Sequence, residues 1–308
     1  MKMLLTGASG MVGWHLKKAL ISKYDVLTPS REELNLLDNE ATYCYIQKYK
    51  PNWIIHLASV VGGISANINN PVKFLIENVK INTNVIDAAF KLQVPYFLNF
   101  ASSCMYPTNR ETLSENDLLT GELEPTNEGY ALSKILSTKL CETISEKNGF
   151  FYKTIVPTNL YGPYDHFEES RSHLIPAIIK KMHDAKLENK KNVSIWGTGN
   201  ARREFLYVED LISFVFIAIE KIKILPAWIN VGLGKDYSVR EYYECVSDVV
   251  GYKPLFEYDL TKPEGMKMKK LNIQKALDLG WKPTTSLREG IEKTYHYYLS
   301  VFSKEEVL

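Results

Sequence analysis

Met3-Leu4-Leu5-Thr6-Gly7-Ala8-Ser9-Gly10-Met11-Val12-Gly13 opens the chain with a short apolar run, a loop of evenly spaced glycines and the start of an amphipathic stretch. This reads as strand, turn and helix. Gly7 permits a tight turn, Gly10 lets backbone approach a pyrophosphate, and Gly13 lets the helix pack on the strand. The helix N-terminus then offers free N–H groups and a partial positive charge, so the segment suits a dinucleotide. Three glycines alone are a weak signal; their place between a strand and a helix gives them weight.

Outward from this loop the same alternation continues. Met3–Thr6, Asp25–Thr28, Trp53–Ala58, Tyr96–Ala101 and Tyr152–Val156 read as strands. Val12–Ser22, Asn39–Lys48, Pro71–Leu92 and Thr126–Lys147 read as helices. The pattern predicts an α/β fold, a doubly wound parallel sheet of Rossmann type covered on both faces. After Gly162-Pro163 loops and charge increase. Residues 1–165 are therefore expected to bind the dinucleotide, with 203–235 returning to them. Residues 166–308 are expected to form mainly a smaller α/β domain over the substrate.

Composition limits the alternatives. The chain has 308 residues and a formal net charge of +1, which gives no electrostatic case for nucleic acid or an anionic membrane. Its four cysteines, Cys44, Cys104, Cys141 and Cys245, lack metal-ligand spacing, so no metal is expected and a reduced, cytoplasmic protein is. The first residues run straight into the glycine loop without a cleavable signal. The longest apolar run, Leu211 to Ile219, is broken by Ser213 and too short to span a membrane. These features predict a soluble chain.

Cofactor choice is read after the second strand, where Thr28-Pro29-Ser30-Arg31 stands in place of an acidic residue. Arg31 can fork onto a 2′-phosphate, which favours NADP(H); a solvated arginine leading the next turn is the plainer alternative. Asp38 reaches adenine or simply caps the following helix. Two Tyr-x-x-x-Lys pairs occur. Tyr258/Lys262 lies near Pro263 and Gly265, outside any plausible helix. Tyr130/Lys134 lies on a helix, where i and i+4 share a face, and follows the strand that ends at Ser102. Lys134 is expected to lower the Tyr130 pKa and hold ribose. Tyr130 would protonate an oxygen that accepts hydride, and Ser102 would hydrogen-bond the same oxygen. Cys104 and His173, taken singly, read as structural residues. Beside a ketone, a thiolate on one side of the ring and an imidazolium on the other can remove and return protons on adjacent carbons.

The glycine spacing is similar to that of short-chain dehydrogenases, and over nearly its whole length the chain resembles the GDP-L-fucose synthase family. The runs that carry the resemblance are Val61-Gly62-Gly63-Ile64, Ser102-Ser103-Cys104-Met105-Tyr106-Pro107, and Leu118 to Glu128. They continue in Pro157-Thr158-Asn159-Leu160-Tyr161-Gly162-Pro163, Ser172-His173-Leu174-Ile175-Pro176-Ala177 and Arg203-Glu204-Phe205-Leu206. The resemblance implies a homodimer with Ser102, Tyr130 and Lys134 as the reductase triad, Cys104 as epimerisation base and His173 as acid. It implies cofactor contacts at Gly7, Ser9, Gly10, Met11, Val12, Gly13, Arg31, Asp38, Leu57, Ala58, Phe100, Ala101, Tyr130, Lys134 and His173. Pro157, Thr158, Asn159 and Leu160 match a loop on the nicotinamide side. GDP-sugar contacts are implied at Ser103, Asn159, Lys181, Trp196, Arg203, Glu264 and Lys269.

Departures cluster at the substrate rim. Ser9 stands where many members carry arginine, Val60 replaces a lysine, Lys181 an arginine, and Met266-Lys267-Met268 the usual Thr-Pro-Arg. The resemblance thus implies an NADPH-dependent reductase of carbon 4 of a GDP-4-keto-6-deoxy sugar, with 3,5-epimerisation in the same site left open. The alternative is a reductase of a GDP-4-keto-6-deoxy heptose of bacterial capsule synthesis that does not epimerise. A non-catalytic NADP(H) sensor is disfavoured because Tyr130 and Lys134 are both present. A sugar dehydratase is disfavoured because Cys104 and Met105 occupy the places of its acid.

Overall fold

Met3 and Leu5 point to one side of the first strand and Leu4 to the other, and all three are fully buried. A strand with two apolar faces needs cover on both, and that requirement organises the molecule. The computed structural model describes residues 1–62, 64–108, 110–168, 172–262 and 270–302.

The chain runs β1 (Lys2–Thr6), α1 (Met11–Leu20), β2 (Asp25–Leu27), α2 (Asn39–Tyr49), β3 (Trp53–His56), α3 (Ile64–Asn69), α4 (Pro71–Lys91) and β4 (Tyr96–Phe100). It continues through β5 (Thr112–Leu113), α5 (Glu128–Asn148), β6 (Phe151–Pro157), β7 (Asn159–Tyr161), α6 (Leu174–Leu187) and β8 (Asn192–Trp196). Then come β9 (Arg202–Arg203), β10 (Phe205–Tyr207), α7 (Val208–Glu220), β11 (Trp228–Val231), β12 (Tyr237–Ser238) and α8 (Val239–Val250). Strands β13 (Leu255–Asp259) and β14 (Lys270–Leu271) and helices α9 (Gln274–Asp278) and α10 (Leu287–Phe302) follow.

Six strands form one parallel sheet in the order β11-β6-β4-β3-β1-β2. Strand order reverses beside β1, so a crevice opens above the C-terminal ends of β1 and β3, where such sheets bind ligands. On one face Met3, Leu5, Trp53, Ile55 and Leu98 pack against Leu16 and Leu20 of α1 and Leu211, Phe214 and Val215 of α7. On the other, Leu4, Ile54 and Phe97 meet Ile46 of α2, Val85 and Ile86 of α4, and Cys141 of α5. Each such fully buried Leu or Ile contributes about 1.5–3 kcal/mol. The parallel α/β architecture matches the sequence expectation.

A second core joins α6, α8 and α10 with Tyr161, Phe205, Tyr207 and Val208. Tyr161 lies within the first expected domain yet belongs to this second core. Conversely, Ala276 and Trp281 return to the first core, where Trp281 Nε1 donates to Ser213 Oγ at 2.8 Å. Asp210 fixes the same return by accepting from the Thr284 and Thr285 amides at 3.0 and 3.1 Å. The two halves are interleaved. Helix α5 begins at Glu128, after a single 3₁₀ turn over Pro125–Asn127, and not at Thr126. Strands β3 and β4 stop at His56 and Phe100, short of Ala58 and Ala101, because the chain turns there into the crevice.

Candidate active site

Gly7 has φ +72°, and a Cβ there would lie 2.7 Å from the Ala58 nitrogen. A Cβ on Gly13 would lie 2.1 Å from the Gly7 carbonyl oxygen and 2.6 Å from Ala8 Cα, so the close packing is against the loop itself and not the strand. At Gly10, by contrast, a Cβ would meet nothing nearer than 3.7 Å. That open cradle lies at the N-cap of α1, whose first turn carries no acidic residue. Ser9 and Gly10 are exposed, while Met11 and Val12 are partly covered. An anionic diphosphate fits this donor set. Leu57 and Ala58 follow β3, Phe100 ends β4 and Ala101 follows it, all at the C-terminal ends of these parallel strands. Arg31 is exposed beyond β2, within the turn that leads away from it. Asp38 caps α2, its Oδ1 accepting from the Ala41 amide at 2.9 Å.

The chemistry-bearing side chains converge after β4. Ser102 precedes a 3₁₀ turn, and its Oγ accepts from the Cys104 amide at 3.3 Å. Lys134 is 2 % exposed, donates to the Phe100 carbonyl at 2.9 Å, and lies 5.6 Å from the Tyr130 ring centre. Burial lowers its pKa to about 8. Tyr130 departs from expectation. Burial raises its pKa, negative charge on Cys104 raises it further, and the Ser59 hydroxyl opposes this in part. The expected lowering by Lys134 is therefore overridden, and the phenol is held protonated. Cys104 is partly exposed, and Asn127 Nδ2 donates to its sulfur at 3.3 Å. Asn127, the N-cap of the helix that carries Tyr130, thereby brings Cys104 to the start of α5.

His173 caps the start of α6 without a side-chain capping bond. Loss of solvation pulls the imidazole below its usual pKa, and charge on His166 adds to this. Pro157 ends β6. Thr158 Oγ1 and Asn159 Nδ2 donate to the Glu204 carbonyl at 3.1 and 3.4 Å, and Leu160 packs on the first core. Lys181 donates to the Ser194 carbonyl, and Trp196 is 53 % exposed with Lys262 over its ring. Arg203 lies on β9, one guanidinium N–H donating to the Arg202 carbonyl at 2.8 Å. Ser103 is only 1 % exposed, so its side chain is inside the turn. Glu264 and Lys269, together with Met266-Lys267-Met268, lie outside the described residues.

Several supporting groups escape a reading of the sequence. Buried His56 bridges Thr6 Oγ1 (2.8 Å) and Asn82 Oδ1 (3.1 Å), and Asn82 Nδ2 donates to the Ser133 carbonyl of α5. Burial and nearby Lys134 push the His56 pKa down to about 3, so the ring is neutral. Asn78 ties Ser59 in place, accepting from its hydroxyl at 2.7 Å. Glu204 and Asn127 are the others. No local spacing marks any of them, because their partners are distant in sequence. Among the described residues no group of His, Cys, Asp or Glu is arranged to hold a metal ion, and no helix is long and apolar enough to cross a membrane.

A glycine cradle at the sheet's crevice, with Ser102 just after β4 and Tyr130 and Lys134 on α5, is the arrangement of a short-chain dehydrogenase/reductase. The chain belongs to the NAD dependent epimerase/dehydratase family, which matches residues 3–232. It is 50% identical over 303 residues to GDP-L-colitose synthase of Yersinia pseudotuberculosis, covering 97% of this chain and 98% of that one. It is 37% identical over 309 residues to GDP-L-fucose synthase of Escherichia coli (strain K12), covering 97% and 96%. A solved GDP-mannoheptose C4 reductase from Campylobacter jejuni with NADP bound is 30% identical, with a TM-score of 0.88 over 96% of this chain and 98% of that one. These relatives bear out the resemblance read from the motif runs.

Proposed function

We propose that this chain is an NADPH-dependent reductase of carbon 4 of a GDP-linked 4-keto-6-deoxy sugar, with proton exchange at carbons 3 and 5 in the same site. The observation that carries this reading is the cluster at the start of α5, where Lys134 donates to the Phe100 carbonyl and lies 5.6 Å from the Tyr130 ring centre while Asn127 donates to Cys104, two residues after Ser102. Gly7, Gly10, Gly13 and Arg31 would hold NADPH, with Lys134 at its ribose; when bound, NADPH supplies hydride to the keto carbon. Tyr130, kept protonated by burial, delivers the proton that the new alkoxide needs. Ser102 donates a second hydrogen bond to that oxygen. Cys104 as thiolate takes a proton from a carbon beside the ketone, and His173, which must first take up a proton, returns one from the opposite side.

A carbon-4 reductase of a heptose is the second reading. It is favoured by the likeness to the heptose enzyme and by Lys181, which offers a point charge already engaged with the Ser194 carbonyl. On either reading the free cysteines suit a cytoplasmic enzyme, and the heptose reading places it in bacterial capsule polysaccharide synthesis. Exposed Val72 and Ile76 on α4 and Leu132 and Leu136 on α5 support a homodimer, since each pair forms an apolar i, i+4 stripe. Sedimentation velocity at dimer mass supports this, and a monomer removes it. The test of the activity is NADPH oxidation with GDP-4-keto-6-deoxy-mannose and with the corresponding heptose. Oxidation with neither sugar refutes the proposal.

A further inference from the structure

Asn127 occupies the N-cap of α5, the helix that carries Tyr130 and Lys134, yet its side chain caps nothing. Asparagine is among the strongest N-cap residues. Here the carboxamide turns away from the helix. Its Nδ2 donates to Cys104 Sγ at 3.3 Å, and its Oδ1 is buried with no hydrogen-bond partner among the described residues. The turn over Pro125–Asn127 and the Asn127 amide, donated to the Glu124 carbonyl at 3.1 Å, fix the backbone that aims it. A side chain that gives up a cap and leaves one buried acceptor bare is placed for something other than helix stability.

We propose that Asn127 is a positioning residue for Cys104: its Nδ2 holds the sulfur as a hydrogen-bonded thiolate facing the cleft, and its Oδ1 receives a hydroxyl of the bound sugar. The inference rests on the epimerisation half of the proposed function. An amide N–H is a donor, so it favours the charged sulfur over the neutral thiol. Tyr130, on the helix that Asn127 begins, is kept protonated by burial and so adds no negative charge that would compete with a thiolate. The thiolate takes the proton from the carbon beside the ketone, forming S–H. The C–H electron pair passes to the keto oxygen as an enolate, and protonation of that carbon from the other side restores the ketone. With Oδ1 bound to a sugar hydroxyl, one carboxamide sets both the base and the ring it acts on.

Two variants separate the two atoms. Asn127→Ala removes both; Asn127→Asp keeps an acceptor oxygen and replaces the donor with a negative charge. The pH dependence of iodoacetamide alkylation, followed at the Cys104 peptide by mass spectrometry, reads the thiolate directly. Both variants should contain about tenfold less thiolate at neutral pH, since one hydrogen bond to an anion is worth about one pKa step. Solvent deuterium exchange into the substrate should slow about tenfold more than reduction does. KM for the sugar should rise in Asn127→Ala and less in Asn127→Asp. Asn127→Ser, which offers α5 a better cap, should keep the melting temperature and still lose the exchange. Alkylation profiles that match wild type in both variants overturn the hold on sulfur, and equal KM in all of them overturns the sugar contact. Absence of deuterium exchange in the wild type removes the epimerisation reading itself, and the alkylation profile still decides whether Asn127 holds the thiolate.

Discussion

Replacing Glu204 with glutamine isolates the carboxylate that knots the site's two flanks together. Glu204 is fully buried; Oε1 accepts from the Gly234 amide at 2.7 Å and Oε2 from the Leu271 amide at 2.6 Å. It thereby joins the loop after β11 to β14, the strand nearest the segment on which Glu264 and Lys269 fall. Its own carbonyl receives Thr158 and Asn159 from the other flank. Glutamine fills the same volume but turns one acceptor oxygen into an NH2 that faces a backbone N–H. One buried donor is left unmet, at a cost of about 1–3 kcal/mol. The melting temperature at pH 6 should fall by about 2–6 °C, and KM for the sugar should rise more than kcat falls. Burial raises the wild-type Glu204 pKa to about 7 against the pull of the Leu271, Gly234 and Leu233 amides. A folded pKa above the unfolded one gives stability that is full below the ordinary carboxylate value and fades as pH rises through about 7. Glutamine does not titrate, so the gap between the two proteins should narrow toward pH 8. Calorimetry showing equal melting temperatures from pH 5 to 8 refutes the two-oxygen knot.

Tyr130→Phe should leave NADPH affinity nearly intact while cutting turnover by about 10²–10⁴-fold, as the proton donor alone is lost; near-normal turnover by stopped flow would remove Tyr130 from that role. Arg31→Ala should weaken NADPH by about 1.5 kcal/mol and leave NADH unchanged in calorimetric titration, the low end of a charge-assisted contact because Arg31 is exposed; equal losses would assign Arg31 to the adenosine and not to its phosphate. Reduction should fall as pH rises through about 8, where buried Lys134 loses its charge, and a plateau to pH 10 would show that the cation is dispensable.

Much of the frame was legible because it depends on short-range pattern. Apolar residues in succession at Met3-Leu4-Leu5 specify a strand buried on both faces, and the steric demand at Gly13 comes from Gly7 and Ala8 in the loop itself, whereas that at Gly7 comes from Ala58, distant in sequence. Even the return of Trp228–Val231 to the sheet could be read from its apolar run. The interleaving of the two cores could not, because Trp281 finds Ser213 and Phe214 only through the tertiary fold. Within the site, residue type and spacing marked Ser102, Tyr130 and Lys134 as candidates. Only the direction of the Tyr130 pKa differs from the reading, since burial outweighs one nearby lysine, and the proton-donor role needs the protonated phenol in either case. Asn127 was hidden for a related reason: the sequence places it inside a helix starting at Thr126, and only the fold shows its amide on a thiol.

The most direct test of the account is the NMR spectrum of the product formed from NADPH and a GDP-4-keto-6-deoxy sugar in D2O. The account predicts a reduced carbon 4 carrying protium from NADPH, with deuterium at carbon 3 or 5, and loss of that deuterium but not of reduction in Cys104→Ser. A sugar left as the ketone would contradict the central claim, and a reduced sugar without deuterium would leave a carbon-4 reductase in which Cys104 moves no proton.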